Sequence, residues 1–425
     1  MAVQVDSKQA IDAVWRIESP RLIAGLTRMV RDVGVAEELA QDALVAALET
    51  WPGSGVPQNP GAWLMATAKR RAIDAVRRGK ILQRKHEEIG RELEAEEREV
   101  PDLDAAIDDE VGDDLLRLVF IACHPVLSPE ARVALTLRLL GGLTTEEIAR
   151  AFLVPEPTVA QRIVRAKRTL AEQRVAFEVP RGEDLKSRLA SVLEVIYLVF
   201  NEGYSATAGD DWMRPGLCDD ALRLGRILAG LTPNEPEVHG LVALMDIQAS
   251  RSRARVGANG EPVLMLEQDR SQWDQVLIRR GLAALDRADQ LGGAGGPYAL
   301  QAAIAACHAR ARTAPETDWA RIAVLYAALA VAAPSPVVEL NRAVALSMAF
   351  GPAAGLDVVD VLVRDGALDG YHFLPSVRAD LLAKLGRHDE ARAELERAMS
   401  MTKNAKEQSL LLERAAECAR AVKTG

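Results

Sequence analysis

The chain lacks most of what a membrane span, a β-sheet or a metal-dependent active site requires. Aromatic residues make up only 4% of its 425 residues, and alanine, leucine, arginine and glutamate dominate, which is the composition of helical proteins rather than sheets. No window approaches the roughly 18 uninterrupted apolar residues that cross a bilayer. The opening, MAVQVDSKQAIDAVWRIES, carries acids and has no apolar core behind a basic stub, so it does not read as a signal peptide. These absences predict a cytoplasmic protein without a membrane partner. The four cysteines (Cys123, Cys218, Cys307 and Cys418) stand far apart with no CxxC, and in such a protein they read as buried thiols. Two of them sit in Cys-His pairs, but neighbours on a helix point about 100° apart and rarely share one ion. The six histidines are scattered, and no HExxH, phosphate loop or nucleophile-base pair occurs. No catalytic residue, metal or cofactor is therefore expected.

What the sequence does have is charge, unevenly placed. The net charge of −9 argues at first against a nucleic-acid partner, yet a global sum can hide a local dipole. Lys69 to Lys85 holds eight cations against Asp74 alone, and Glu87 to Asp114 is crowded with carboxylates relieved only by Arg91 and Arg98. The second block has little apolar content and reads as an acidic linker.

Asn59-Pro60-Gly61 interrupts the backbone and precedes AWLMATAKRRAIDAVRR. With about 3.6 residues per turn, Leu64, Met65, Ala68, Ala72, Ala75 and Val76 form one apolar stripe, and Trp63, Arg70, Asp74 and Arg77 lie opposite, flanked by Arg71 and Arg78. Guanidinium groups hold phosphates and an indole stacks on an unpaired base; a solvated charged helix with a half-packed tryptophan fits the spacing equally well. Upstream, Ala10–Trp51 reads as two helices, the first broken by Pro20 with Val14, Ile17, Leu22, Ile23, Leu26 and Val30 on its apolar face. The second, with Leu39, Ala43, Ala46 and Ala47 inward, has a polar edge of Glu37, Glu38, Gln41 and Asp42 beside Leu44, Val45 and Leu48. That edge suits docking to other helices, or is ordinary surface. Pro52–Pro60 reads as a proline-stiffened loop.

Apolar periodicity resumes at Leu115. Ser128-Pro129 is a strong helix start, and that helix ends at Gly141-Gly142. Thr144 and Glu147 have capping-box spacing, followed by a tight turn at Leu153–Glu156 and a longer helix carrying Thr158, Gln161, Arg162, Arg165, Lys167 and Arg168. Val159, Ile163, Ala166 and Leu170 pack it inward. A short helix, a brief turn and a polar-basic helix make a helix-turn-helix, or an ordinary helical hairpin.

The three segments AEELAQDALVAALE (Ala36–Glu49), NPGAWLMATAKRRAIDAVRR (Asn59–Arg78) and LTTEEIARAFLVPEPTVAQRIVRAKRTL (Leu143–Leu170) occur in this order and resemble regions 2.2, 2.3–2.4 and 4.2 of the extracytoplasmic-function (ECF) sigma factors of bacterial RNA polymerase. The likeness covers roughly the first 175 residues. It implies that Glu37, Glu38, Gln41, Asp42, Leu44 and Val45 grip the β′ clamp of core polymerase. It implies that Gln58, Asn59, Trp63, Lys69, Arg70, Arg71, Arg77 and Arg78 hold the melted −10 element. Thr158, Gln161, Arg162, Arg165, Lys167 and Arg168 would face the −35 duplex, with the β flap as a further polymerase contact. Arg70 stands where the family usually has asparagine, Ala160 where many members are basic, and Leu153 and Pro157 replace common turn glycines.

Everything after Glu178 exceeds a minimal sigma factor and resembles the subgroup with a tetratricopeptide-like (TPR) C-terminal domain. Ala379–Ala398 has the TPR cadence, and Asn341–Gly351 gives a weaker copy about 35 residues earlier. Leu185–Tyr204, Leu217–Leu231, Val238–Arg253, Trp273–Leu291 and Tyr298–Arg312 read as helices without a clear repeat. Within NEGYSATAGDDWMRP, the residues Asp210, Asp211, Trp212 and Arg214 form a candidate ligand or interdomain loop, or a loop capped by its own aspartates. Asp269, Arg270 and Trp273 in the following long loop carry the same two readings. The expected architecture is all-α: a region 2 domain (1–86), an acidic linker (87–114), a helix-turn-helix domain (115–178) and a helical extension (179–425) that regulates the rest through a protein or ligand. A polymerase-independent helix-turn-helix regulator with a sensing domain explains the chain from Leu143 onward but leaves Asn59–Arg78 without a task.

Overall fold

The computed structural model describes residues 2–73, 111–204 and 213–424, apart from 153, 258–260, 262, 367 and 403–404. The all-α expectation holds: the described residues form helices and no strand. The chain divides into two compact units, Met1–Ile196 and Tyr197–Gly425.

The first unit opens with α1 (Ala2–Val30) and α2 (Val33–Ser54), followed by α3 over residues 60–73. Pro20 lies inside α1 and does not break it. Ile11, Leu22, Ile23 and Leu26 are buried on both sides of it, and α1 packs on α2 and on α4 (Val111–Ala122). Burial of that face outweighs one missing N–H. Ile17, expected on the same face, is 62% exposed. The Asp32 carboxylate caps α2 by accepting from the Val35 amide at 2.9 Å. This helix runs through Pro52 to Ser54, so the expected loop is shorter than its prolines indicate; buried Trp51 anchors the last turn.

Helix α4 begins at Val111, so the last four residues expected in the acidic linker are helical; residues 87–110 of that linker lie outside the described residues. Then come α5 (Pro129–Leu139), α6 (Thr145–Phe152) and α7 (Glu156–Glu172). Ser128 caps α5 with Pro129 in its first turn. Thr144 and Glu147 form the reciprocal capping box, at 2.8 and 3.1 Å. Between α5 and α6, Gly142 has φ +70°, and a Cβ there would stand 3.2 Å from the Arg16 Cα of α1. Its backbone conformation and its close approach both favour glycine. The first half of α8 (Gly182–Tyr204) also belongs to this unit. Arg132 bonds Ser191 and reaches Glu194 at 3.0 Å, and the Ser191 hydroxyl donates to the Cys123 carbonyl at 2.7 Å. All four cysteines are buried and free, as expected.

The second unit continues through α9 (Pro215–Leu231), α10 (Pro236–Ala249), α11 (Gln275–Gln290) and α12 (Pro297–Arg310). Helix α10 packs on α9, α11 and α12. Its Asp246, fully buried, takes two bonds from Arg280 and one from Arg226, at 2.8–2.9 Å. After them come α13 (Trp319–Ala332), α14 (Pro336–Phe350), α15 (Pro352–Arg364), α16 (Phe373–Lys384), α17 (His388–Met401) and α18 (Ala405–Thr424), each packed on the next. Gly351 closes α14 and Gly386 follows α16, both at positive φ (+99° and +77°). Their separation matches the 35-residue offset of the sequence repeat. Arg214 pairs with Glu202 in a partly buried site, whereas Asp210, Asp211 and Trp212 lie outside the described residues.

The long loop before α11 resolves its two readings in favour of structure. Asp269 caps a short 3-10 turn through the Ser271 amide. Arg270, 9% exposed, donates to the His308 and Ala311 carbonyls and to the Thr317 hydroxyl at 2.8–2.9 Å, and its guanidinium lies 5.1 Å from the Trp273 ring centre. Beside it, burial first, and then the charges of Arg251 and Arg270, push the His308 imidazole from 6.5 down to about 3. The folded chain keeps His308 neutral where an unfolded chain would protonate it. Its contribution to stability is therefore complete above the unfolded value of 6.5 and is lost as pH falls towards 3, at about 1.4 kcal/mol per pH unit. In urea unfolding of the second unit between pH 7 and 4.5, the slope of the native sequence should exceed that of His308→Gln by about one proton's worth; equal slopes would remove His308 from the account.

Candidate functional site

Helix α3 starts where Asn59 accepts the Ala62 amide at 3.0 Å, so the sequence stop doubles as an N-cap. Leu64, Ala68 and Ala72 are buried as the apolar stripe predicts. Trp63 is half-buried, with its ring edge-on to buried Trp51 at 5.3 Å between centres. One side of the indole is thus packed and the ring remains accessible. Gln58, Asn59, Arg70 and Arg71 are exposed, and Lys69 is half-buried. Arg71 pairs with Asp42 of α2 at 3.0 Å, which ties together two residues expected to serve different partners. Arg77 and Arg78 lie outside the described residues.

On α2, Glu38, Asp42 and Val45 are exposed and Leu48 follows at 39% exposure. Steps of four, three and three residues put them on one helical face. Leu44 and Gln41 are half-buried. Glu37 departs from the expectation of a polymerase-facing edge: it is 3% exposed. Arg138 of α5 donates to it at 2.6 Å, Lys167 of α7 forms an ion pair with it, and Gln41 donates to it as well. Position 37 lies four residues after Val33 and three before Ala40, both buried, so helical periodicity places it on the inner stripe. Its charge concealed that signal, and the cations that make its burial tolerable stand about 100 and 130 residues away.

On α7, Val159, Ile163, Ala166 and Leu170 are buried, as the sequence predicts. Gln161, Arg165 and Arg168 are exposed, and Thr158 and Arg162 are half-buried. Arg168 pairs with Glu172 at 2.6 Å on the surface. Lys167, grouped with the −35 residues in the sequence, points to Glu37 instead, since position 167 lies on the flank of the helix that faces α2. Two further pairs link α1 to α6 and to α4. Arg16 of α1 meets Glu147 of α6 at 2.7 Å, using the oxygen that the capping box leaves over. Arg28 of α1 meets buried Asp114 of α4 at 3.2 Å, and Arg117 meets the other oxygen of Asp114 at 2.6 Å. None of these bridges was legible in the sequence.

Comparison with known proteins follows the same division. Residues 15–81 match the family Sigma-70 region 2, residues 117–170 match Sigma-70, region 4, and residues 188–289 match a family of unknown function, DUF6596. An uncharacterized protein of Rhizobium meliloti is 44% identical over 93% of this chain and 93% of its own length. The probable ECF RNA polymerase sigma factor SigI of Mycobacterium tuberculosis is 28% identical over 40% of this chain, which spans 57% of SigI. The ECF RNA polymerase sigma factor SigK of Mycobacterium sp. (strain KMS) is 28% identical over 36% of this chain and 77% of its own. No solved structure matches. Regions 2 and 4 thus fall on the helices that carry the exposed basic faces, with a separate family on the helices after them, and the protein belongs to the ECF sigma factors of RNA polymerase, in the group that carries a C-terminal extension.

Proposed function

We propose that the protein is a promoter-specificity subunit that docks on core RNA polymerase through the exposed face of α2, places α3 on the −10 element and places α7 on the −35 element. The observation that carries this reading is the coexistence, on region 2 and region 4 helices, of two separate exposed basic faces. One has Arg70 and Arg71 beside a half-buried indole, and the other has Gln161, Arg165 and Arg168. Arginines on a helix suit phosphates and guanine edges in a major groove, and a supported indole with one accessible side suits stacking on an unpaired base. Glu38, Asp42, Val45 and Leu48 supply the polymerase-facing row, with the β′ clamp as the partner the resemblance implies. Polymerase reaches Glu37 only after α5 and α7 leave it. A polymerase-independent regulator leaves the region 2 match over residues 15–81 without a task. The helices after Ile196 are the proposed seat of regulation, since stacked helix pairs commonly bind proteins.

Two measurements test this. In run-off transcription with core polymerase and a promoter library, Arg165→Ala should cost about 1–3 kcal/mol at one −35 position and little elsewhere; a loss uniform across sequences would make Arg165 a phosphate contact. In a DNA-free binding assay, Lys167→Met should raise affinity for core polymerase by about tenfold if the lost ion pair is worth about 1.4 kcal/mol to the covered arrangement. Unchanged or weaker binding would mean that Glu37 need not be uncovered.

A further inference from the structure

The first unit contains a cavity of about 570 Å³, within the usual range for small-molecule sites. Its wall is strongly biased in charge: Arg28, Arg31, Arg117, Lys167 and Arg174 line it against Asp32 alone. Three of these cations are already engaged, Arg28 and Arg117 with Asp114 and Lys167 with Glu37. The side chains of Arg31 and Arg174 are exposed and make no hydrogen bond or ion pair with a described residue. Ile121, Leu170 and Phe177 give the same cavity an apolar wall.

Backbone conformation at the two uncommitted arginines is the second observation. Arg31 follows the last residue of α1 and Arg174 follows the C-cap of α7, and both adopt the left-handed region, with φ of +56° and +49°. They are the only non-glycine residues at positive φ among the described residues. Helices commonly end in this conformation, but with glycine, which meets no Cβ penalty there. Two helix ends that face one cavity both carry an arginine where glycine would be relaxed, which favours a use for the side chains over one for the backbone.

We propose that this cavity binds a small polyanion bearing a flat apolar group, of the nucleoside-polyphosphate class. Arg31 and Arg174 hold the phosphates, while Ile121, Leu170 and Phe177 receive the base. The cavity wall is shared by the ends of α1 and α7 with the start of α2 and the second half of α4, so a bound ligand favours the arrangement in which Arg138 and Lys167 cover Glu37. By linkage, it weakens whatever binding needs Glu37 uncovered. This second consequence rests on the polymerase-docking reading above; the binding itself does not.

The full chain should be titrated by calorimetry with ATP, GTP and pyrophosphate at constant ionic strength. Saturable binding of at least one nucleotide, tighter than pyrophosphate, is expected, with at least a tenfold loss in the double variant Arg31→Gly, Arg174→Gly. That variant relieves the strained backbone, so its thermal midpoint should be equal or higher, and weaker binding cannot be ascribed to unfolding. Arg21→Gln, an exposed change on the same helix, should bind as the native chain does. No saturable binding, or binding unaltered in the double variant, overturns the site; pyrophosphate binding as tightly as the nucleotides overturns the nucleoside assignment. With binding established, a nucleotide that leaves polymerase affinity unchanged overturns the linkage to Glu37 alone.

Discussion

A carboxylate with almost no access to water organises the first unit. Glu37 sits on the inner side of α2, where Ala36, Ala40 and Ala43 are fully buried, and an unpaired charge there would cost several kcal/mol. Arg138 and Lys167 remove that cost only when α5 and α7 stand against α2. Moving α5 and α7 away would leave a buried charge unpaired, so these two contacts disfavour other arrangements of the three helices. Helices α1 to α7 lie in one compact unit, with Arg16–Glu147 and Arg28–Asp114 tying α1 to α6 and α4 within it.

For a sigma factor this has a mechanical consequence. The exposed row Glu38, Asp42, Val45 and Leu48 remains available while its neighbour Glu37 does not. On the proposed reading, an encounter with polymerase begins on the open row and is completed when the region 4 helices leave Glu37. In this packed arrangement Arg70, Arg71, Gln161, Arg165 and Arg168 are exposed, so on that same reading it does not withhold them from DNA.

The second unit uses buried charge in another way. Asp246 ties α9, α10 and α11 together through Arg226 and Arg280, and Arg270 fastens the preceding loop to the carbonyls that end α12. These contacts join elements from one compact unit and fix a single packing. Further along, the fold returns to short-range order, with each helix resting on its successor and glycines at positive φ closing α14 and following α16. The family match ends at residue 289, before that more regular stack begins.

Local signals were dependable. The stripe of Val159, Ile163, Ala166 and Leu170, the caps at Ser128 and Thr144 and the stop at Asn59 all depend on residues within a few turns of one another, and the structure agrees with each. Prolines misled in the opposite direction: Pro20 and Pro52 sit inside helices because packing on either side outweighs one lost hydrogen bond. Periodicity read from the amino-acid order determines which side of a helix turns inward, and hence which basic faces can be offered to DNA. Only the tertiary structure decided what covers that inward side, and so which charges are spent on the protein itself, because Arg138 and Lys167, which meet Glu37, and Arg28, which meets Asp114, lie on helices remote in sequence and no local pattern encodes their meeting.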